Sequence, residues 1–356
     1  MEDEGRAMDR TRQDPCSSSG NGREVYEALS HMDTDTYKLL RPLLISLQAF
    51  GMFVPSLTKS TITTSNCHKL QILKTDQVID RKSYLWLTYD ILVNVLLWSN
   101  LFKYSLIISW EDTFGPTLFK KLAFVSWYVL STLCCTSMLW VSLRHGTMHS
   151  YCLYARYIER NFCATKRLSR SKMMTRCILI GWMIFVANVV ACIVGLSTTT
   201  LWDTILFPFN SSFAYYNWIK AISIIIHAYF SAAWIFPSVF VFINCRLIYH
   251  ELALFNRCLT EVNHVKEELP RFRSWHQHLC HLLEIADNMI TLQIGLVLWL
   301  DVTMECLLLN NLFLAASTDV DITSLVVEVS WVVLILLHIG LFSFATVSIN
   351  KTVRYI

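Results

Sequence analysis

The sequence predicts an all-α, polytopic membrane protein with six spanning helices, preceded by an interfacial helix near the N-terminus. Three observations carry this. The 356-residue chain is 54% hydrophobic, and its apolar residues fall in runs longer than a soluble helix needs. Lys and Arg recur in the linkers at 58–82, 144–172, 248–290 and 350–356 and are absent from the alternate linkers at 110–119, 197–217 and 315–324. Two segments also run on past their apolar part without a break. Arg271 to Ala316 would be about 69 Å long as one helix, against a hydrocarbon core of roughly 30 Å, so about half of it must protrude.

Composition excludes several function classes. A net charge of +3 with no basic block gives no footprint for nucleic acid. The twelve Cys, among them Cys134-Cys135, contain no Cys-x-x-Cys pair and read as packing residues rather than metal or redox ligands. No cofactor is implied.

Residues 1–37 are polar, mixed in charge and without an apolar stretch that could act as a cleavable signal, so they are expected to be a disordered cytoplasmic tail. The receptor domain then covers 38–349. Leu39–Leu57 is interrupted by Arg41, Pro42, Gln48, Gly51 and Pro55, while Leu40, Leu43, Leu44, Leu47 and Phe50 form a helical stripe. An interfacial helix suits that pattern better than a span. Spans follow at 83–109, 120–143, 173–196, 218–247, 291–314 and 325–349, with helices continuing into the cytoplasm over 218–262 and 271–316. The protruding halves carry Leu252, Phe255, Leu279 and Leu282, enough apolar surface for a small stalk serving subunit association. By the positive-inside rule the basic linkers, the N-terminus and the end at 350–356 are cytoplasmic. The sequon at Asn210 then falls outside and should be glycosylated, whereas that at Asn350 should not.

A ligand pocket is expected in the outer half of the bundle. Trp127 and Tyr128 on the second span, His227 and Tyr229 on the fourth, Asp301 and Glu305 on the fifth and Trp331 on the sixth all lie from mid-membrane outwards. Asp301 and Glu305 are four residues apart and share a helix face, which cannot look at lipid without large cost. Aromatic walls with a few polar groups build small-molecule sites, and an acidic pair would suit a cationic or polyhydroxylated ligand. The competing reading is that Lys220, Ser223 or Ser330 satisfies the pair structurally.

The order of elements resembles the insect gustatory and odorant receptor superfamily. Leu40-Arg41-Pro42-Leu43 with Gly51-Met52-Phe53 is similar to its short N-terminal helix. Leu143-Arg144-His145 leading to Tyr154–Arg160 is similar to its basic linker, Leu254-Phe255-Asn256 to the inner end of its fourth span, and His278, Cys280, Leu282 and Asn288 to the start of its fifth helix. The resemblance implies a plasma-membrane chemosensory receptor with an intracellular N-terminus. It implies further that the chain is a subunit, homo- or hetero-oligomeric, of a tetrameric cation channel opened by a small-molecule ligand, and not an enzyme. The family's seventh, pore-lining helix is absent, since the sequence stops at Ile356 just after the sixth span. Either the sequence is incomplete there or the chain cannot form that pore alone.

Three rivals remain. Counting Leu39–Leu57 as a span gives a seven-helix G-protein-coupled receptor, but Ser142-Leu143-Arg144 replaces its Asp/Glu-Arg-Tyr and Ser348-Ile349-Asn350-Lys351 its Asn-Pro-x-x-Tyr. His145, His149, His276, His278 and His281 would suit a membrane di-iron hydroxylase, which needs further paired-His boxes that the sequence lacks. Ionisable residues within spans would suit a transporter, yet no inverted repeat appears.

Overall fold

The structure, a computed structural model, describes residues 35–54, 58–64, 70–77, 81–106, 108, 115–144, 151–152, 155, 158, 167–198, 217–261, 265–315 and 322–353. Helix α1, Asp35–Ala49, opens it, so three residues assigned to the polar tail are helical; residues 1–34 lie outside the described part. The α1 stripe of Leu40, Leu43, Leu44 and Leu47 is buried. It packs on protein, against the fourth and fifth helices, rather than resting on headgroups alone.

The end of α1 is a Schellman turn. Met52 N–H donates to the Leu47 carbonyl at 2.9 Å and Gly51 N–H to that of Gln48 at 3.2 Å, with Gly51 at φ 73°. Only glycine adopts that backbone freely, and a Cβ there would come within 2.6 Å of Val93. The reversal drives Phe50 into a cluster with Trp182, Phe185, Tyr229 and Phe236, its ring stacked on Phe236 at 5.4 Å.

The linker that follows departs from the all-helical expectation. Strands β1, Thr58–Thr64, and β2, Leu70–Gln77, pair antiparallel from Thr58 opposite Gln77 to Thr64 opposite Leu70, with a register shift between Thr61 and Ile62. The Thr-rich run suits a strand.

The remaining elements are helices: α2 Arg81–Ser105, α3 Pro116–Leu143, α4 Arg167–Thr198, α5 Asn217–Glu261, α6 Val265–Ala315 and α7 Ile322–Val353. Pro116 at the first helical position costs α3 nothing, because that N–H has no intrahelical partner anyway. Among the described residues, α2 to α6 are each long and apolar enough to cross a membrane, and α7 contributes the apolar stretch Glu328–Phe344. At 15 residues α1 is about 22 Å long, short of a hydrocarbon core of roughly 30 Å. Counting it as a seventh span therefore fails on length.

The surface is inverted relative to a soluble protein. Leu85, Phe102, Trp299 and Phe313 are about seven-tenths exposed, while Asp90 and Asp301 are fully buried. Lipid is the solvent that such a surface fits. Where apolar side chains gain nothing by leaving lipid, polar ones join the helices. Thr136 on α3 donates to Asn94 on α2 at 3.0 Å, and Gln293 on α6 to Ser137 on α3 at 3.4 Å.

Helix α3 is central, packed on α2, α5 and α6, and α7 closes the bundle against α5 and α6. The C-terminal part of α5 lies along the N-terminal part of α6 around Phe255, whose ring meets Trp275 at 5.2 Å and Phe272 at 6.0 Å. Their apolar faces cover each other within one chain.

Candidate functional site

Five helices converge on a cavity of about 40 Å³. Helix α3 contributes Ala123, Phe124 and Trp127, spaced three and four apart so that they share one face. Helix α5 contributes His227 and Trp234, two turns apart on one face, and α4 contributes Asn188. Met304 and Leu308 of α6 complete the wall with Trp331, Leu334 and Ile335 of α7.

Most of the lining is aromatic or aliphatic. Trp127 lies 4.9 Å from the His227 ring, and Phe124 meets Trp331 edge to face at 5.0 Å. The polar atoms are few and unusual. His227 is 6% exposed, and both its ring nitrogens are buried with no hydrogen-bond partner among the described residues. The same holds for Nε1 of Trp234. Asn188, by contrast, donates to Ser231 at 3.0 Å. Leaving buried donors and acceptors unmade costs about 1–3 kcal/mol each, so a side chain that does so at a cavity wall is poised for a guest.

Polar bonds bracket the cavity. One turn beyond Ile335, His338 Nδ1 bonds Oδ2 of Asp301 at 2.5 Å, and its ring meets Trp234 at 4.9 Å. At the other end Lys120 Nζ lies 2.6 Å from Oε1 of Glu328, whose Oε2 accepts from Asn311 at 2.7 Å.

The seven residues singled out from the sequence divide accordingly. Trp127, His227 and Trp331 line the cavity. Tyr128 is one residue round the helix from Trp127 and stacks on Tyr104 at 3.9 Å. Tyr229, two residues from His227, turns to the opposite side, where its hydroxyl meets that of Tyr89 at 2.9 Å. Asp301 and Glu305 are buried beside the cavity but are not among the described residues that line it, and Asp301 bonds His338, a partner the sequence did not point to. Asn210 lies outside the described residues, as do His145 and His149. His276 approaches Cys280 and His281 approaches Glu284, and among the described residues no three His, Cys, Asp or Glu side chains gather as a metal site. Sequence reasoning missed Phe124, Asn188 and Trp234. Phe124 and Trp234 were within reach, standing three residues from Trp127 and seven from His227 on the same helix faces.

No protein-family model and no curated protein matches the chain. Solved structures do. The olfactory receptor OR5 of the insect Machilis hrabei, in complex with eugenol, superposes with a TM-score of 0.63 at 13% identity, over 92% of this chain and 82% of the receptor chain. Another structure of the same receptor gives 0.62 at 13%, over 89% and 81%. Over that length the chain is similar in fold to an insect olfactory receptor.

Proposed function

We propose that this chain is a chemosensory membrane receptor, a subunit of a ligand-gated cation channel of the gustatory and odorant receptor type, with its ligand in the five-helix cavity. The observation that carries it is the presence together of His227 and Trp234, two buried side chains at an aromatic wall whose ring nitrogens have no hydrogen-bond partner among the described residues. The shared fold supports the class, since the similar receptor was solved with the small aromatic molecule eugenol.

On this reading Trp127, His227 and Trp331 touch the ligand. Tyr128, Tyr229, Asp301 and Glu305 shape the wall from behind. The ligand is small and neutral, because no Asp, Glu, Lys or Arg stands among the described residues that line the cavity. Assembly is as a homo- or hetero-oligomer in the plasma membrane, with the basic linkers and both ends of the chain on the cytoplasmic side and Asn210 outside.

Thermal unfolding of the purified protein against a panel of neutral aromatics, eugenol included, tests the site. At least one compound should raise Tm, and Trp127→Ala with Trp331→Ala should abolish that rise. Equal stabilisation of the variant would place binding elsewhere. Failure of every compound would end the reading.

A further inference from the structure

At one end of the cavity, three of the helices that line it meet again in a polar cluster. Glu328 on α7 is 4% exposed, Lys120 on α3 reaches its Oε1 at 2.6 Å, and Asn311 on α6 donates to its Oε2 at 2.7 Å. Each stands one helical turn beyond a lining residue. Lys120 precedes Phe124 by four positions, Asn311 follows Leu308 by three, and Glu328 precedes Trp331 by three. Helix geometry therefore stacks the cluster over the Phe124–Trp331 contact and closes that end of the cavity.

The two ends are not equivalent. The Lys120 side chain is 29% exposed, whereas Asp301 and His338 at the other end are 0% and 12% exposed. A bond with one partner already in contact with the surroundings opens at small cost, because the released ammonium goes where it can be solvated. A fully enclosed carboxylate has no such outlet. Asn311 also gives Glu328 a partner that stays in place when Lys120 swings away, so opening does not strand the carboxylate.

We propose that the Lys120–Glu328–Asn311 cluster is a latch: Lys120 leaves Glu328 to admit a small neutral molecule past Phe124 and Trp331, and returns to close the cavity over it. The latch admits and retains the ligand without touching it once bound. The inference rests on the cavity being the ligand site, and its test uses no ligand, so either reading can fail alone.

Leucine 308, inside the cavity, is replaced by cysteine. Modification of that position by methyl methanethiosulfonate, a small neutral thiol reagent, is followed with time by fragment-ion mass spectrometry, which separates it from the exposed Cys306 two residues away. In the Leu308→Cys background the reaction should be slow. Glu328→Gln should speed it about tenfold, equivalent to about 1.4 kcal/mol of lost closure. The exchange of charges Lys120→Glu with Glu328→Lys should restore the slow rate, a readout that simple loosening of the fold would not give. If Glu328→Gln does not fold, Lys120→Met breaks the same pair from its more exposed side and is read in the same way. An unchanged rate in the folded variant overturns the latch. So does acceleration by Asp301→Asn instead, which would put the opening at the other end.

Discussion

His227 and Asp301 are both buried ionisable residues, and what each touches makes opposite consequences of removing it. His227 makes no hydrogen bond among the described residues, so His227→Phe keeps an aromatic ring there, removes two nitrogens unpartnered among those residues and should leave Tm unchanged or raised. Its cost should appear in binding, about tenfold in Kd for a hydrogen-bonding ligand. Asp301 ties α6 to α7 through His338 and does not line the cavity. Asp301→Asn should therefore cost about 2 kcal/mol of stability while ligand affinity stays within about threefold. Calorimetry and a binding isotherm on the two variants would check both, and the reverse pattern would exchange their roles. Gly51 is a different kind of residue, needed for its backbone. Gly51→Ala combines φ 73° with a 2.6 Å approach to the Cβ of Val93 and should destabilise by about 2 kcal/mol or more; Val93→Ala keeps that Cβ and should recover only the part due to the two methyl groups.

At the scale of elements, Phe50, just past the end of α1, joins the buried leucine stripe in fastening that helix to the bundle. Phe50→Ala removes a ring held by four aromatic neighbours and should cost about 3–5 kcal/mol. Faster hydrogen exchange across 35–54, with the α3–α6 contact still protected, would show that α1 alone has loosened. The spanning helices were legible in the sequence because their apolar runs are long, and the α5 and α6 extensions because nothing in them stops a helix. Their ends came within a few residues except at the starts of α4 and α6, Arg167 and Val265, each six positions before the expected one. The site was legible only in part. Periodicity says that Trp127 and Tyr128 point different ways, but which way is inward depends on the neighbours, and Tyr128 found Tyr104. The partner of Asp301 lies on another helix 37 positions away, a pairing that no local pattern encodes. The β1–β2 ribbon was not legible from the basic residues of its linker, because charge says nothing of strand propensity.

At the scale of the molecule, the alternation of basic and uncharged linkers makes the topology testable. An epitope tag at the N-terminus should be reachable only after permeabilisation. Asn210→Gln should remove a glycan-dependent shift on a gel, and staining of the N-terminal tag on intact cells would invert the arrangement. The unbroken course of α6 has a mechanical consequence. Trp275, seated against Phe255, and Met304, in the cavity wall, belong to one rod and stand about 44 Å apart along it. A stiff rod pivoting about its middle exchanges small displacements at one tip for equal ones at the other. A tilt of about 5° imposed at the cavity would carry the far tip several ångströms relative to a fixed end, since about 44 Å of helix transmits the angle undiminished. Anything fastened to that tip would feel a molecule in the cavity without any relay of side chains between them.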